Sequence, residues 1–218
     1  MEQVILDKKD VLLFLKDSLT NLKTSSVHVD NAKYHHNTSY NCALSIVKNG
    51  ILSLDALNKK GIINYSNELL ELLNDTESHI NGKDGVSLSV VGLSDVKCDE
   101  IEYDPFIDSQ VDFLISSDVV ARRSSINYAN EFITNEHINP EKLKSIDFRL
   151  IKYIDSLFDK TIDDDTIESL IQRYNCIRDV AIMLKEEKLS IPIREMSDED
   201  NSALDIDKTA NSPVLLLK

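Results

Sequence analysis

The sequence predicts an α+β fold, with helices towards the two ends of the chain and strands between them. Three observations carry the prediction. Leu12, Leu15, Leu19 and Leu22 recur at helical spacing near the N-terminus, which gives a helix one apolar face. Short β-like runs follow in the middle, Val86–Val91 and Val111–Ile115 among them. Past Leu150 the apolar positions return to a helical period.

Each element has its own justification. The leucine stripe, with Asp10 and Asp17 on its wet side, predicts a helix over residues 8–23. Residues 24–40 turn polar, with short β-like stretches such as Ser25–Val29, and end in the donor-rich run Tyr34-His35-His36-Asn37-Thr38-Ser39. A short helix over 40–48 stops at Asn49-Gly50, because Gly accepts the left-handed conformation that ends a helix. Residues 51–80 read as helical, with Leu69, Leu70, Leu72 and Leu73 among acids. Asn81–Gly85 is a turn before the alternating strand Val86–Val91. Further strands are expected at 111–115, 131–134 and 146–150, with a polar loop, Arg122–Asn130, before the second. A helical part spans 151–190, where Asp165 and Glu168 form a capping signal ahead of the stripe Ile167, Leu170, Ile171, Tyr174, Ile177, Ala181 and Leu184. One domain over 1–192 is expected. Residues 193–218 hold six acids (Glu195, Asp198, Glu199, Asp200, Asp205 and Asp207) and few apolar residues before Val214, and read as an acidic, loosely attached tail.

Composition narrows the function. The 218 residues carry 24 Lys+Arg against 38 Asp+Glu, a net charge of −14. Broad neutralisation of nucleic-acid phosphates needs clustered Lys and Arg and is excluded. Apolar residues make up 42%, enough for a core of ordinary size. No apolar run is long enough for a membrane helix, and Met1-Glu2-Gln3-Val4 lacks the basic start of a secretory signal. Cys42, Cys98 and Cys176 form no C-x-x-C pair. That favours reduced thiols in a cytoplasmic setting and argues against a zinc site or a disulfide frame.

Familiar catalytic signatures are missing: there is no P-loop, G-x-G-x-x-G, H-E-x-x-H or G-x-S-x-G. Cys42 follows His35 and His36 closely but reads as a small hydrophobe on a helix. His35 and His36 are adjacent on a strand and point to opposite faces, so they make a poor metal pair, and no metal is expected. Asp163-Asp164-Asp165 complements a helix dipole. His28, His79 and His137 read as surface or packing residues, and Cys98 and Cys176 as structural thiols.

One constellation carries more. His36-Asn37-Thr38-Ser39 precedes a helix that closes at Gly50-Ile51, fourteen residues after His36; Gly85–Ser89 follows, and then Asn130-Glu131-Phe132-Ile133. In this order the motifs resemble the ADP-ribosyltransferase superfamily, in its poly(ADP-ribose) polymerase and diphtheria-toxin branch, over Tyr34 to Ile133. There a strand ending in H-G-[ST], a helix closing at Gly-Leu, a G-[IV]-Y strand and an N-E-[YF]-[IV] strand follow one another. Ser87 stands where that branch has Tyr, and Ser87-Leu88-Ser89 looks instead like the S-T-S strand of the arginine–serine–glutamate class. Ala129 takes the place of the first residue of the E-x-E and Q-x-E pairs.

The resemblance implies a split β-sheet core and NAD as substrate, with no metal. Glu131 and His36 would be catalytic. NAD would be held by His36, Thr38, Gly85, Ser87, Ser89 and an aromatic face from Tyr103, Tyr128 or Tyr40. Arg122, Arg123, Asn127 and Asn130 would face the acceptor. Nicotinamide leaves the ribose through an oxocarbenium-like state, and a carboxylate beside the ribose stabilises the developing charge. The implied function is mono-ADP-ribosyl transfer to nucleic acid or protein by a toxin or anti-phage effector, with an antitoxin or basic protein as partner and no membrane association. Two other readings stand beside it: a binding module that has lost turnover, and an RNA 2′-phosphotransferase-like enzyme, which would want several Arg around the site.

Overall fold

The computed structural model describes residues 2–63, 85–90, 111–123, 131–158, 160–196 and 201–218. Among these are eleven strands and six α-helices. Nine strands form one sheet and two form another. All but one pairing in the large sheet are antiparallel, so the fold belongs to the α+β class.

The N-terminal strand β1 (Gln3–Leu6) leads into α1 (Lys8–Leu22). The predicted leucine stripe is the buried face of α1, with Val11, Leu12, Leu15, Leu19 and Leu22 all in the core. Next come β2 (Lys23–Ser26), β3 (Ala32–Thr38), α2 (Tyr40–Asn49) and α3 (Leu54–Lys59). Ser53 caps α3 by accepting from the Ala56 amide at 3.3 Å. The rest of the helix expected over 51–80 lies largely outside the described residues.

The middle of the chain supplies β4 (Val86–Val90), β5 (Val111–Ser116), β6 (Arg122–Arg123), β7 (Glu131–Thr134) and β8 (Leu143–Phe148). Arg122 and Arg123 were expected in a loop. They form instead a short edge strand, pairing with Ile133 and Phe132. Two helices follow, α4 (Leu150–Asp155) and α5 (Asp164–Glu186). The cap of α5 is Asp163, which accepts from the Thr166 amide at 2.7 Å, rather than Asp165. Asp164 and Asp165 sit in the first turn, where negative charge meets the helix dipole.

The expectation of a loosely attached tail beyond residue 192 is corrected. Four elements are built there: β9 (Ile193–Met196), β10 (Asn201–Leu204), α6 (Ile206–Ala210) and β11 (Val214–Leu217). β9 joins β8 in parallel, β10 joins β9 and β2, and β11 joins β1. Ile193, Arg194 and Glu195 are buried. The acids misled because pairing and capping, not exposure, account for several of them: Asp205 caps α6 through the Lys208 amide at 3.0 Å.

The large sheet runs β2-β10-β9-β8-β5-β3-β4-β7-β6. One face of its centre is apolar, with Tyr34, Leu88, Phe113, Ile115, Ile146, Phe148 and Ile193 in the core. Each large side chain buried there contributes about 1.5–3 kcal/mol. Helix α2 packs between this face and α5, and the Tyr40 ring lies 5.5 Å from that of Phe148.

Candidate functional site

The strands that carry the sequence motifs lie side by side in the middle of the sheet. β3 stays paired to β5 along its whole length, from Ala32 to Thr38. Its ladder with β4 has only two pairs, Tyr34 with Val90 and His35 with Ser89. β4 meanwhile pairs with β7 from Val86 to Ser89. The sheet therefore forks after His35, and His36 is the first residue of β3 beyond the fork.

The His36 imidazole bridges the gap, with Nδ1 3.0 Å from the Ser87 carbonyl oxygen. A carbonyl only accepts, so Nδ1 donates and Nε2 of the neutral ring keeps its lone pair. Burial lowers the His36 pKa; the Ser87 carbonyl and Asp112 oppose that, His35 adds to it, and the net direction is down. His36 is thus a neutral hydrogen-bond acceptor near neutral pH.

Beside it lies a cavity of about 260 Å³. His36 and Thr38 line it from β3, and Cys42, Ser45 and Ile46 from α2. These helix positions share a face because they are three and four residues apart. Gly50, Ile51 and Leu52 close one end, with Leu57, Ile62 and Ile63 beyond. Cys42 corrects the sequence reading, which made it a small hydrophobe: the thiol is exposed and accepts from Ser39 Oγ at 3.4 Å.

Gly50 shapes that end of the cavity. Its φ is +79°, and a Cβ there would meet the Ile138 carbonyl oxygen at 2.1 Å and His137 Nε2 at 2.8 Å. Ile51 and Ile138 exchange two backbone hydrogen bonds, of 2.9 and 3.1 Å. His137 Nε2 donates to the Asn49 carbonyl at 2.6 Å, satisfying one of the orphan carbonyls that end a helix. His137 is thus a clamp on α2, a role the sequence reading missed.

Glu131 opens β7 and pairs with Ser89, whose other partner is His35. Glu131, Ser89 and His35 therefore form one cross-strand row at the fork. Ser87 pairs with Ile133, and Gly85 immediately precedes β4. Arg122 and Arg123 are exposed on β6, next to β7. Tyr103, Asn127 and Asn130 lie outside the described residues, as does Tyr128. Tyr40 is buried with its ring in the core and does not line the cavity.

A second polar arrangement was not foreseen. Asn37, Asp112, Asp147 and Arg194 form a row across β3, β5, β8 and β9. Arg194 grips Asp147 with two contacts, of 2.7 and 2.5 Å, and both residues are buried. The fork-on-fork geometry suits an ionised pair, while burial holds the Asp147 pKa above its ordinary value. Asp112 lies 3.2 Å from His35 Nδ1. Burial pushes its carboxyl up, but His35, Arg149 and Asn37 together bring it below the ordinary value. On β9, Glu195 accepts from the Ile151 amide at 2.7 Å, at the start of α4. Burial raises its pKa to about 8.

Among the described residues no cluster of His, Cys, Asp or Glu could hold a metal ion, and no helix is long and apolar enough to cross a membrane. No protein-family model, curated protein or solved structure matches the chain.

Proposed function

We propose that this chain is an NAD-dependent mono-ADP-ribosyltransferase. The observation that carries the reading is the fork. Three motif strands, far apart in sequence, are neighbours, and the sheet opens between the one bearing His36 and the one bearing Ser87. A split sheet is what the resemblance implies. His36 Nε2 is left as an acceptor beside a cavity lined by Thr38 and the Gly50–Leu52 turn. In this reading the cavity takes part of NAD, and His36 accepts a ribose hydroxyl. The resemblance assigns Glu131, two strands across in the row of Ser89 and His35, to stabilising the positive charge that develops as the bond between C1′ and the nicotinamide nitrogen breaks.

The acceptor is a nucleic acid or a protein, approached from the side of Arg122 and Arg123. The chain then acts as a cytoplasmic toxin or anti-phage effector, with an antitoxin or a basic protein as partner. Ser87 favours one second reading: with no aromatic residue at that position, the chain could be a binding module that keeps the fold without turnover.

Incubation with NAD and cell extract, following nicotinamide release and label transfer, separates the two. Wild type is expected to release nicotinamide, and Glu131→Ala and His36→Ala to lose most of that activity without losing the fold. Absence of nicotinamide release and labelling by wild type would sink the transferase reading and favour the binding module. Label resistant to protease but not to nuclease identifies a nucleic-acid acceptor.

A further inference from the structure

We propose that β1 is the contact edge of a symmetric dimer, in which it pairs antiparallel with β1 of a second copy of this chain. β1 and β11 form a sheet of two parallel strands, separate from the sheet that carries the motifs. Its two outer edges differ. On β11 the Asn175 side chain donates to the Leu215 carbonyl at 2.9 Å and accepts from the Leu215 amide at 3.0 Å, so that edge is already paired. β1 has no such cover among the described residues. The Val214 amide donates to the Glu2 carbonyl at 2.9 Å, and the Lys218 amide to the Leu6 carbonyl at 3.0 Å. Alternate residues of a strand turn N–H and C=O to the same side, so Gln3 and Ile5 present theirs outwards.

An open edge is a template for another strand unless it is blunted by Lys, Pro or a bulge. Gln3-Val4-Ile5-Leu6 contains neither residue, and its register with β11 is unbroken. Ile5 is 60% exposed, and Leu216, its partner in the ladder, is 38% exposed. Two apolar side chains therefore stand side by side next to unpaired backbone.

Charge and register select a second copy as the occupant. With the two-fold axis at Ile5, the two Ile5 residues exchange both backbone bonds, and Gln3 faces the partner's Asp7. Asp7 is still extended, at φ −74° and ψ 148°, so the pairing reaches that far. Glu2 then comes beside the partner's Lys8, the first residue of α1, at both ends of the joint. Lys8 also pairs with Asp164. A register centred on Val4 sets Glu2 against the partner's Leu6 and loses that attraction. The Ile5 axis also aligns Leu216, Ile5 and their two copies in one apolar row. The edge itself is electrically balanced: Glu2, Asp7 and Asp10 meet Lys8, Lys9 and Lys218, in a chain of −14. Neither a strongly basic nor a strongly acidic partner is drawn to it, and a copy is not repelled there. A joint one short strand wide falls below the roughly 1,200–2,000 Å² of a stable complex, so the dimer is weak.

Sedimentation equilibrium of the full chain, at concentrations up to about 1 mM, tests this. The mass is expected to rise from 24.7 kDa towards twice that value. The rise is larger with added salt, because screening removes the repulsion between two chains of −14. Ile5→Lys stays monomeric throughout, and its Tm is unchanged because the side chain is exposed. Glu2→Lys and Lys8→Glu each weaken dimerisation about tenfold, since every reversal acts at two exposed pairs. The double variant recovers wild-type association within about threefold, and decides the matter even if Ile5→Lys unfolds. Amide exchange at Gln3 and Ile5 slows as concentration rises. A wild type that remains monomeric at about 1 mM overturns the proposal. So does a dimer that Ile5→Lys leaves intact, that charge swapping fails to restore, or that leaves exchange at Ile5 unchanged. An oligolysine peptide that slows exchange at Ile5 in a monomeric chain, less so as salt rises, assigns the edge to a basic partner and overturns it too. β1 lies outside the motif sheet, so none of these outcomes bears on nicotinamide release.

Discussion

Replacing Gly50 with Ala tests how the cavity is held in shape. At φ +79° an L side chain costs about 1–2 kcal/mol in backbone strain alone. The added Cβ would sit 2.1 Å from the Ile138 carbonyl oxygen, more than an ångström inside ordinary contact. That neighbour is backbone, so it cannot rotate away as a side chain would. Relief requires Ile138 and Gly50 to separate, which disturbs the two Ile51–Ile138 hydrogen bonds and the His137–Asn49 bond. Each is worth about 0.5–1.5 kcal/mol net. Together the substitution should destabilise the chain by about 3–5 kcal/mol, a large share of the 5–15 kcal/mol typical of a folded domain. For a chain of this size that is a fall in Tm of about 6–20 °C. Urea and thermal unfolding of Gly50→Ala, with His137→Ala beside it, measure this. His137→Ala removes only one bond and should lose about 1 kcal/mol. A Gly50→Ala variant within about 1 kcal/mol of wild type would refute the reasoning, because neither the strain nor the clash could then be real.

Two further predictions concern single side chains. Glu195 is wholly buried, and its pKa rises from 4.5 to about 8 on folding. The folded state therefore binds the extra proton between those values, and this group's contribution to stability is full below pH 4.5 and lost as pH rises towards 8. Unfolding free energies of wild type minus Glu195→Gln should fall by up to about 4 kcal/mol from pH 5 to pH 9, and a difference that is flat or rises with pH contradicts the assignment. The second concerns thiols: Cys42 is exposed at the cavity, whereas burial and Asp179 push the Cys176 thiol up to about 12. Iodoacetamide at pH 8 should alkylate Cys42 at least about tenfold faster than Cys176, and NAD should slow the reaction at Cys42. Equal rates, read by peptide mass mapping, would argue against the exposed placement.

What could be read from the sequence was what is local. Helices α1, α2 and α5 announce themselves because their buried faces recur every three or four residues, and the stop at Gly50 because Asn-Gly carries its own backbone preference. The strands of the motifs are legible for the same reason. What failed is non-local. The tail was misjudged because composition equates charge with exposure, whereas Glu195 is buried against the start of α4 and Asp205 caps α6. His137 clamps a helix end 88 residues earlier in the chain, and nothing in its neighbourhood of sequence points there. The row from Asn37 to Arg194 exists only once β3, β5, β8 and β9 have paired. His35 illustrates the limit most sharply: alternation separates it from His36, but only the register of β5 supplies Asp112.

The six arginines of the chain sharpen what the acidic balance means. Arg194 is buried on Asp147, and Arg178 is buried between the Ser212 carbonyl and Asp179. Arg173 lies over the rings of Tyr40 and Tyr153, 5.3 and 4.8 Å from their centres. Arg149 contributes to the charge around Asp112. These four serve the interior and the polar face of the sheet. Arg122 and Arg123 are exposed, and both lie on the edge strand that pairs with β7, the strand of Glu131. Of the six arginines, these two are the exposed ones, so the exposed guanidinium charge is concentrated at one edge, next to the fork. The chain's 18 lysines spread further positive charge elsewhere, as at Lys8 and Lys9 on α1. An acceptor bearing phosphates would meet two exposed arginines at that edge. Such an arrangement selects for approach at that edge rather than for binding along an extended strand, since each phosphate contact adds separately to affinity and to its salt dependence. On the transferase reading, charge thus contributes orientation at the fork.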